Sequence, residues 1–155
     1  METFDAICKR ASIRQYQDKE IPKEMLEKLV DAGRRAPTAR AVEPWEFIVV
    51  VEKETLKKLG KLIETGVFLK DAAACVVIFC KETKYFLEDG SAATENVLLA
   101  AADAGLGACW IAGDKKPYAG DVAQLLNVPS SFKLISLIAL GWPLKPILQR
   151  KLRAL

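Results

Sequence analysis

Apolar residues recur at helical spacing in five segments of the chain, and each of these segments predicts a helix. The five segments are residues 3–9, 22–36, 54–63, 91–104 and 120–126. Pro22 suits the first position of its helix. Proline lacks a backbone N–H, and at this position that N–H would have no hydrogen-bond partner within the helix. The fourth segment is apolar nearly all round, which predicts a central position with close neighbours. Gly105 directly follows it and is a suitable C-terminal cap.

Short runs rich in apolar and β-branched residues predict four strands between the helices. They cover residues 45–51, 73–80, 109–111 and 133–141. Two helices precede the first strand, so the order of elements departs from that of a doubly wound parallel sheet, and we predict an α+β fold. No internal repeat or low-complexity linker divides the chain, and residues 1–155 are therefore expected to form one domain.

Residues 144–155 have no place in this layout. They form a tail that is both basic and apolar. Such a tail can lie across a second copy of the chain and so create a large dimer interface. The alternative is a frayed terminus.

The charge and composition of the chain favour a small-molecule partner. Apolar residues make up 51% of the 155 residues, which is enough for a core without disulfide or metal staples. The net charge is only +3 and both signs are mixed, so no basic block indicates nucleic acid or an anionic membrane. No apolar run approaches the ~20 residues of a membrane span, and the N-terminus lacks a signal-peptide pattern. We therefore expect a cytoplasmic protein.

The residue types that are missing restrict the chemistry. The chain contains no histidine, which excludes Ser-His-Asp and Cys-His nucleophiles, histidine-ligated zinc and imidazole acid–base catalysis. The four cysteines, Cys8, Cys75, Cys80 and Cys109, form no C-x-x-C pair, and we interpret them as inert buried thiols. An enzyme of this composition commonly leaves the difficult step to an organic cofactor.

Arg10, Ser12 and Arg14 place two guanidinium forks and a hydroxyl at the end of the first predicted helix. Planar forks suit bidentate contact with phosphate and carbonyl oxygens. A solvated basic turn would use the same residues, so this string alone does not separate a ligand site from an ordinary surface turn.

Two further segments combine rigidity with small residues. Residues 36–45 contain two prolines and end in Trp45, so this loop could receive a flat aromatic ligand or simply connect core elements. Residues 105–113 carry three glycines, which permit close approach of a ligand or mark a cap and a packed strand. Because these glycines follow a helix and not a strand, they form no Rossmann fingerprint.

Together these strings resemble the nitroreductase family. Its patterns are similar to R-x-S-x-R near the N-terminus, A-P-S-x-x-N-x-Q-P-W before the first strand and G-L-G-x-x-W-I-x-G after the central helix. The chain carries residues 9–14, 36–45 and 105–113 in the same order, followed by residues 141–143 where the family has G-Y-P. The resemblance covers nearly the whole chain, and four strings in register are more specific than any one of them.

The resemblance implies a three-layer α+β fold, with a central mixed, mostly antiparallel sheet flanked by helices. It implies an intertwined homodimer that binds FMN at its interface. The implied activity is an oxidoreductase that moves hydride from NADH or NADPH to an organic acceptor, of the nitroaromatic or quinone type, by a ping-pong mechanism. No side chain would be catalytic, since flavin N5 would carry the chemistry.

Residue by residue, the resemblance places five positions of one subunit on FMN. Arg10 and Ser12 would contact the phosphate and ribityl end, and Arg14 would lie beside the N1 and C2 carbonyl side of the ring. Main-chain amides at Ala112 and Gly113 would face flavin N5 and O4. Arg150 of the tail matches the position of a further cation that would contact the phosphate.

The partner subunit would contribute Pro37, Thr38 and Ala39 as a cover over the flavin. Within the same loop the chain departs twice from the family pattern, with Ala41 in place of asparagine and Glu43 in place of glutamine. Ala41 removes a polar contact, and Glu43 adds a negative charge near an anionic ligand. The chain is also short for the family and lacks an insertion that shapes the substrate channel, which leaves the acceptor open.

Three other functions stay open at this point. A flavin carrier or sensor would bind FMN without oxidising NAD(P)H. A dehalogenating or flavin-modifying relative would bind FMN but ignore nitro compounds and quinones. An interaction domain without flavin would stay colourless after FMN is added.

Overall fold

The computed structural model describes residues 1–149 and 151–154. Its helices are α1 (Thr3–Lys9), α2 (Lys23–Arg34), α3 (Lys53–Leu62), α4 (Phe86–Asp103) and α5 (Ala119–Leu125). Its strands are β1 (Trp45–Val50), β2 (Ala74–Lys81), β3 (Gly107–Ala112) and β4 (Phe132–Gly141). Every predicted helix and strand is present. Two short 3-10 segments, Ala39–Ala41 and Glu64–Asp71, are not predicted by the sequence pattern.

Helix α4 begins earlier than the apolar pattern predicts. The pattern starts at residue 91, whereas the helix starts at Phe86. Its first turn carries the acidic residues Glu88 and Asp89, whose negative charges stabilise the positive end of the helix dipole. An apolar pattern cannot detect this turn, because these residues are polar. At the other end Gly105 takes a φ of +74°, which confirms its predicted role as a helix cap.

The four strands form one sheet in the order β1-β2-β4-β3. All three strand pairs are antiparallel. A parallel bridge joins Ser12 to Ala108 on the outer side of β3. The sheet is therefore mixed and mostly antiparallel, as expected from the resemblance.

Helices cover both faces of the sheet, which gives three layers. Alternate residues of a strand point to opposite faces, and in β2 both sets are buried. Ala74, Val76, Ile78 and Cys80 pack in the same core as α2 and α4. Cys75, Val77 and Phe79 pack in a second core with α3, the Glu64–Asp71 segment and α5.

The segment after α1 runs along β3 and also fixes where the tail leaves the fold. The Ile13 N–H donates to the Ala108 carbonyl at 2.9 Å. A side chain at Gly107 would come within 2.7 Å of Ile13, so glycine is required for this close approach. Further along, the Gln17 N–H donates to the Trp142 carbonyl at 2.8 Å. Since these bonds hold Trp142, the tail beyond it starts from a defined position.

We expect the buried glycine of α4 to be intolerant of even a methyl group. A Cβ at Gly90 would lie 2.7 Å from Ile135 Cγ1, whereas a Cβ at Gly120 of α5 would meet nothing within 4 Å. Overpacking should make Gly90→Ala lower the free energy of unfolding by about 1–3 kcal/mol. The control Gly120→Ala should raise it by at most about 1 kcal/mol, through helix propensity. Urea unfolding of both variants measures the difference, and a Gly90→Ala protein as stable as wild type would contradict this packing.

Candidate functional site

Arg10, Ser12 and Arg14 lie on the extended segment that borders the outer edge of β3. The Ser12–Ala108 bridge sets its position, and Ile13 turns inward onto Gly107. Because alternate residues of an extended segment point to the same side, the side chains of residues 10, 12 and 14 face away from that contact. Ser12 and Arg14 are exposed and Arg10 is half-buried.

All three side chains lie close enough to the buried thiol of Cys109 to affect its pKa. Burial raises the pKa of this thiol, while the nearby charge of Arg14, a hydrogen bond with Ser12 and the charge of Arg10 lower it in part. Among the described residues, neither guanidinium has a carboxylate within 4.0 Å. The structure therefore brings Arg10, Ser12 and Arg14 together as a set of donors for an anion.

Phe68 is a neighbour of this set that sequence reasoning did not identify. The guanidinium carbon of Arg14 lies 5.9 Å from the centroid of the Phe68 ring, within the range of a cation–π contact. Phe68 belongs to the 3-10 segment Glu64–Asp71. No periodic signal marks that segment, so Phe68 could be found only from the folded chain.

Ala112 and Gly113 lie where β3 ends, and the sheet uses them differently. The Gly113 N–H donates to the Ile135 carbonyl at 3.0 Å, and a Cβ at Gly113 would come within 2.5 Å of Leu134 Cγ. Gly113 thus satisfies a packing requirement against β4, and its amide already has a partner. Hydrogen bonding alternates along an antiparallel pair, so the N–H and C=O of Ala112 point to the outer edge. There the Ala112 carbonyl accepts the Tyr118 hydroxyl.

Pro37, Thr38 and Ala39 lie in the loop between α2 and β1, against the first turn of α4. Asp89 of α4 is buried, with 5% of its surface exposed. Its carboxylate accepts the Thr38 hydroxyl at 2.8 Å and the Ala39 N–H at 3.1 Å. Sequence reasoning missed Asp89, because the predicted helix began at residue 91 and left this carboxylate outside it.

The two parts of the predicted site are held by different elements. Residues 37–39 bond to Asp89 in the first turn of α4, whereas residues 10–14 border the outer edge of β3. Among the described residues, no hydrogen bond joins the two parts. The predicted contact of Arg150 lies outside the described residues.

The residues on the outer edge of β3 fit an anionic flavin. Two guanidinium groups and a hydroxyl on one surface suit a phosphate ester and ring carbonyl oxygens. The outward N–H of Ala112 adds a neutral donor on the same edge. In the part of the chain that the structure describes, no group of acidic or cysteine side chains could hold a metal ion.

The chain matches the family model described as the nitroreductase family over residues 7–91 and 81–142. The chain belongs to the nitroreductase family. The matched region includes residues 9–14, 36–45 and 105–113 in full and the first two residues of 141–143, and the resemblance is confirmed.

Individual relatives of this nitroreductase-family chain agree over most of its length. A Methanothermobacter thermautotrophicus protein, provisionally named NADH dehydrogenase/NAD(P)H nitroreductase, is 36% identical over 149 residues, which are 92% of this chain and 78% of that protein. The structure of an FMN-dependent nitroreductase from Clostridium difficile R20291 has a TM-score of 0.89 at 32% identity, covering 96% of this chain and 91% of its own. A provisionally named nitroreductase from Desulfovibrio desulfuricans, in complex with FMN, has a TM-score of 0.89 at 25% identity, covering 100% and 93%.

We expect any alkylation of the folded protein to be confined to Cys8. The prediction of buried thiols is confirmed for Cys75, Cys80 and Cys109 but is wrong for Cys8, which is exposed near the end of the short surface helix α1. Burial raises the pKa of Cys75 and of Cys80 to about 12, and raises that of Cys109 as well, so these thiols stay protonated and unreactive near neutral pH. Peptide mass spectrometry after iodoacetamide treatment, with and without urea, measures this. Modification of Cys109 in the folded state would show that its thiol is open to the Arg10 and Arg14 surface.

Proposed function

We propose that this protein is an FMN-dependent oxidoreductase that uses NADH or NADPH as electron donor. The observation that carries the proposal is the cluster of Arg10, Ser12 and Arg14 on the outer edge of β3. Its support comes from family membership and from relatives that are named as NAD(P)H nitroreductases or contain FMN. Bound FMN would supply the chemistry, taking hydride from the nicotinamide and passing it to a nitroaromatic or quinone acceptor in a ping-pong exchange.

The side chains of this protein would bind and orient the cofactor. Arg10 and Ser12 would hold the phosphate and ribityl end, and Arg14 would lie beside the pyrimidine, where a positive charge favours an anionic reduced ring. The outward amide of Ala112 would donate to the N5 and O4 side. Since the Gly113 amide is used in the sheet, we assign Gly113 the role of placing Ala112.

We also propose that the active form is a homodimer. Residues 37–39 bond to α4 and residues 10–14 border β3, and the family resemblance assigns these two parts of one site to different subunits. Phe4 and Ile7 of α1 expose 73% and 50% of their surfaces, which leaves an apolar helix face for a partner to cover. The loop of one subunit would then cover the flavin held by the other.

The partner's tail would occupy a cleft beside β1. The cleft has a volume of about 1130 Å³ and runs between α2 and the outer edge of β1, with an apolar floor that includes Leu26, Val30, Val49 and Val51. A free strand edge can pair with an extended segment. Leu148 of the tail exposes 85% of its surface and provides an apolar side chain for the floor.

We place this activity in the cytoplasm. All four cysteines are free thiols, which is typical of proteins in a reducing compartment. Within the described ranges, every helix is too short or too polar to span a bilayer.

We expect the purified protein to bind FMN with a flavin absorption band that bleaches when NADH or NADPH is added without oxygen. Arg10→Ala should raise the FMN dissociation constant about 10- to 100-fold, because it removes a charge-assisted contact to phosphate. Fluorescence titration of apoprotein with FMN measures this constant.

Lys9→Ala is the matched control for this titration, since it removes the same charge from the exposed neighbouring position at the end of α1. It should leave the constant within about threefold of wild type. Equal losses in both variants would indicate a general electrostatic effect and would contradict a specific contact by Arg10. Bound FMN that neither NADH nor NADPH reduces would indicate a flavin carrier or sensor instead.

We expect Leu148→Asp to weaken the dimer at least tenfold, because a charge would enter the apolar cleft. Gln149→Asp adds the same charge one position along, at a side chain that is already polar, and should leave the dimer intact. Light scattering over a dilution series gives the dissociation constant. A Leu148→Asp dimer as tight as wild type would show that the tail lies elsewhere.

A further inference from the structure

The loop before β1 holds three residues in a backbone conformation that they disfavour. Arg40, Ala41 and Glu43 have φ values of 57°, 52° and 48°. Residues other than glycine reach this left-handed region only at a cost of about 1–2 kcal/mol each. Such a conformation persists when surrounding contacts impose it. The loop must therefore be held by bonds to the rest of the fold.

A buried carboxylate supplies those bonds. Asp89 accepts from the Thr38 hydroxyl at 2.8 Å and from the Ala39 N–H at 3.1 Å. The Thr38 oxygen in turn accepts the Glu43 N–H at 3.0 Å. The chain of bonds from Asp89 through Thr38 to Glu43 spans the three strained positions and fixes the loop at both ends.

The chemistry of this anchor requires a carboxylate and a hydroxyl. Both groups that Asp89 meets are donors, and a carboxylate only accepts, so an amide would direct its NH₂ group at one of them. Thr38 must donate to Asp89 and accept from Glu43 at once, which a hydroxyl can do and a methyl group cannot. The position of Asp89 in the first turn of α4 stabilises its charge through the helix dipole.

We infer that Asp89 is a positioning residue for the cofactor site: through Thr38 it holds residues 38–43 in the strained shape that covers the flavin of the partner subunit. This inference rests on the proposed function, since the loop's ligand is the flavin of that proposal. Asp89 would touch neither FMN nor substrate. It would act at a distance by keeping the loop from relaxing to an ordinary conformation that no longer fits the neighbouring subunit.

The test compares two substitutions at Thr38. Thr38→Val removes the hydroxyl at nearly constant volume, and Thr38→Ser keeps it. We expect Thr38→Val to raise the FMN dissociation constant at least tenfold, and Thr38→Ser to stay within about threefold of wild type. Asp89→Asn should behave like Thr38→Val. Amide hydrogen exchange without flavin should show faster exchange in residues 38–43 of Thr38→Val, with α4 unchanged.

Thr94→Val is the control for a loss of stability alone. Thr94 is a buried threonine on the same helix, and its hydroxyl bonds with Ser136 at 2.8 Å and with the Gly90 carbonyl at 2.7 Å. The Thr94→Val substitution should lower the melting temperature without changing FMN affinity. If both Thr94→Val and Thr38→Val lose FMN affinity, and the loss relative to the fall in melting temperature is the same in both, Asp89 has only a structural role and the inference fails.

Two further outcomes separate this inference from the function on which it rests. If the wild-type dimer binds FMN and Thr38→Val binds it equally well, the positioning role fails and the proposed function stands. If the wild-type protein binds no FMN, the proposed function fails and the positioning role fails with it.

Discussion

Burial of the central strands on both faces determines where this chain can place chemistry. Residues 74–80 of β2 are all 0% exposed, and residues 134–141 of β4 are buried as well. A polar side chain without a partner at such a position would cost about 2–7 kcal/mol, so these strands are almost entirely apolar. The exception, Ser136, is paired with Thr94. The candidate polar site residues therefore lie outside these two strands, at the edge of β3, in the loop before β1 and in the first turn of α4.

The two edges meet this constraint in different ways. Residues 12 and 13 cover the edge of β3, and this contact brings Arg10, Ser12 and Arg14 to the surface together. On the other edge, Val49 and Val51 expose 37% and 56% of their surfaces. An open apolar edge invites pairing with another chain. In the proposed dimer the partner's tail would cover β1 and each loop would reach the other subunit's arginines, so dimer formation and cofactor binding would share a single cause.

The spacing of apolar residues predicts the helices and strands here because nearly every element has a well-defined apolar face. The motif strings predict the family because their order along the chain is specific. The remaining features depend on contacts between distant residues. Gly66 departs from helical backbone angles within Glu64–Asp71, so that segment has no regular repeat, yet it brings Phe68 to Arg14. Asp89 meets Thr38 across 51 residues. The amide of Gly113 is used by Ile135, a partner that only the strand register reveals.

The loop before β1 shows how a local preference can be replaced by a tertiary contact. The family pattern has asparagine where this chain has Ala41, and asparagine tolerates a left-handed φ because its side chain can bond to nearby backbone. Alanine has no such bond, yet Ala41 keeps a φ of 52°. The local support is absent, so the loop must depend more heavily on Asp89 and Thr38 than it would with asparagine. The substitution in the loop and the buried carboxylate in α4 are thus best understood together: the first removes a stabilising contact from the loop itself, and the second maintains its shape from the core.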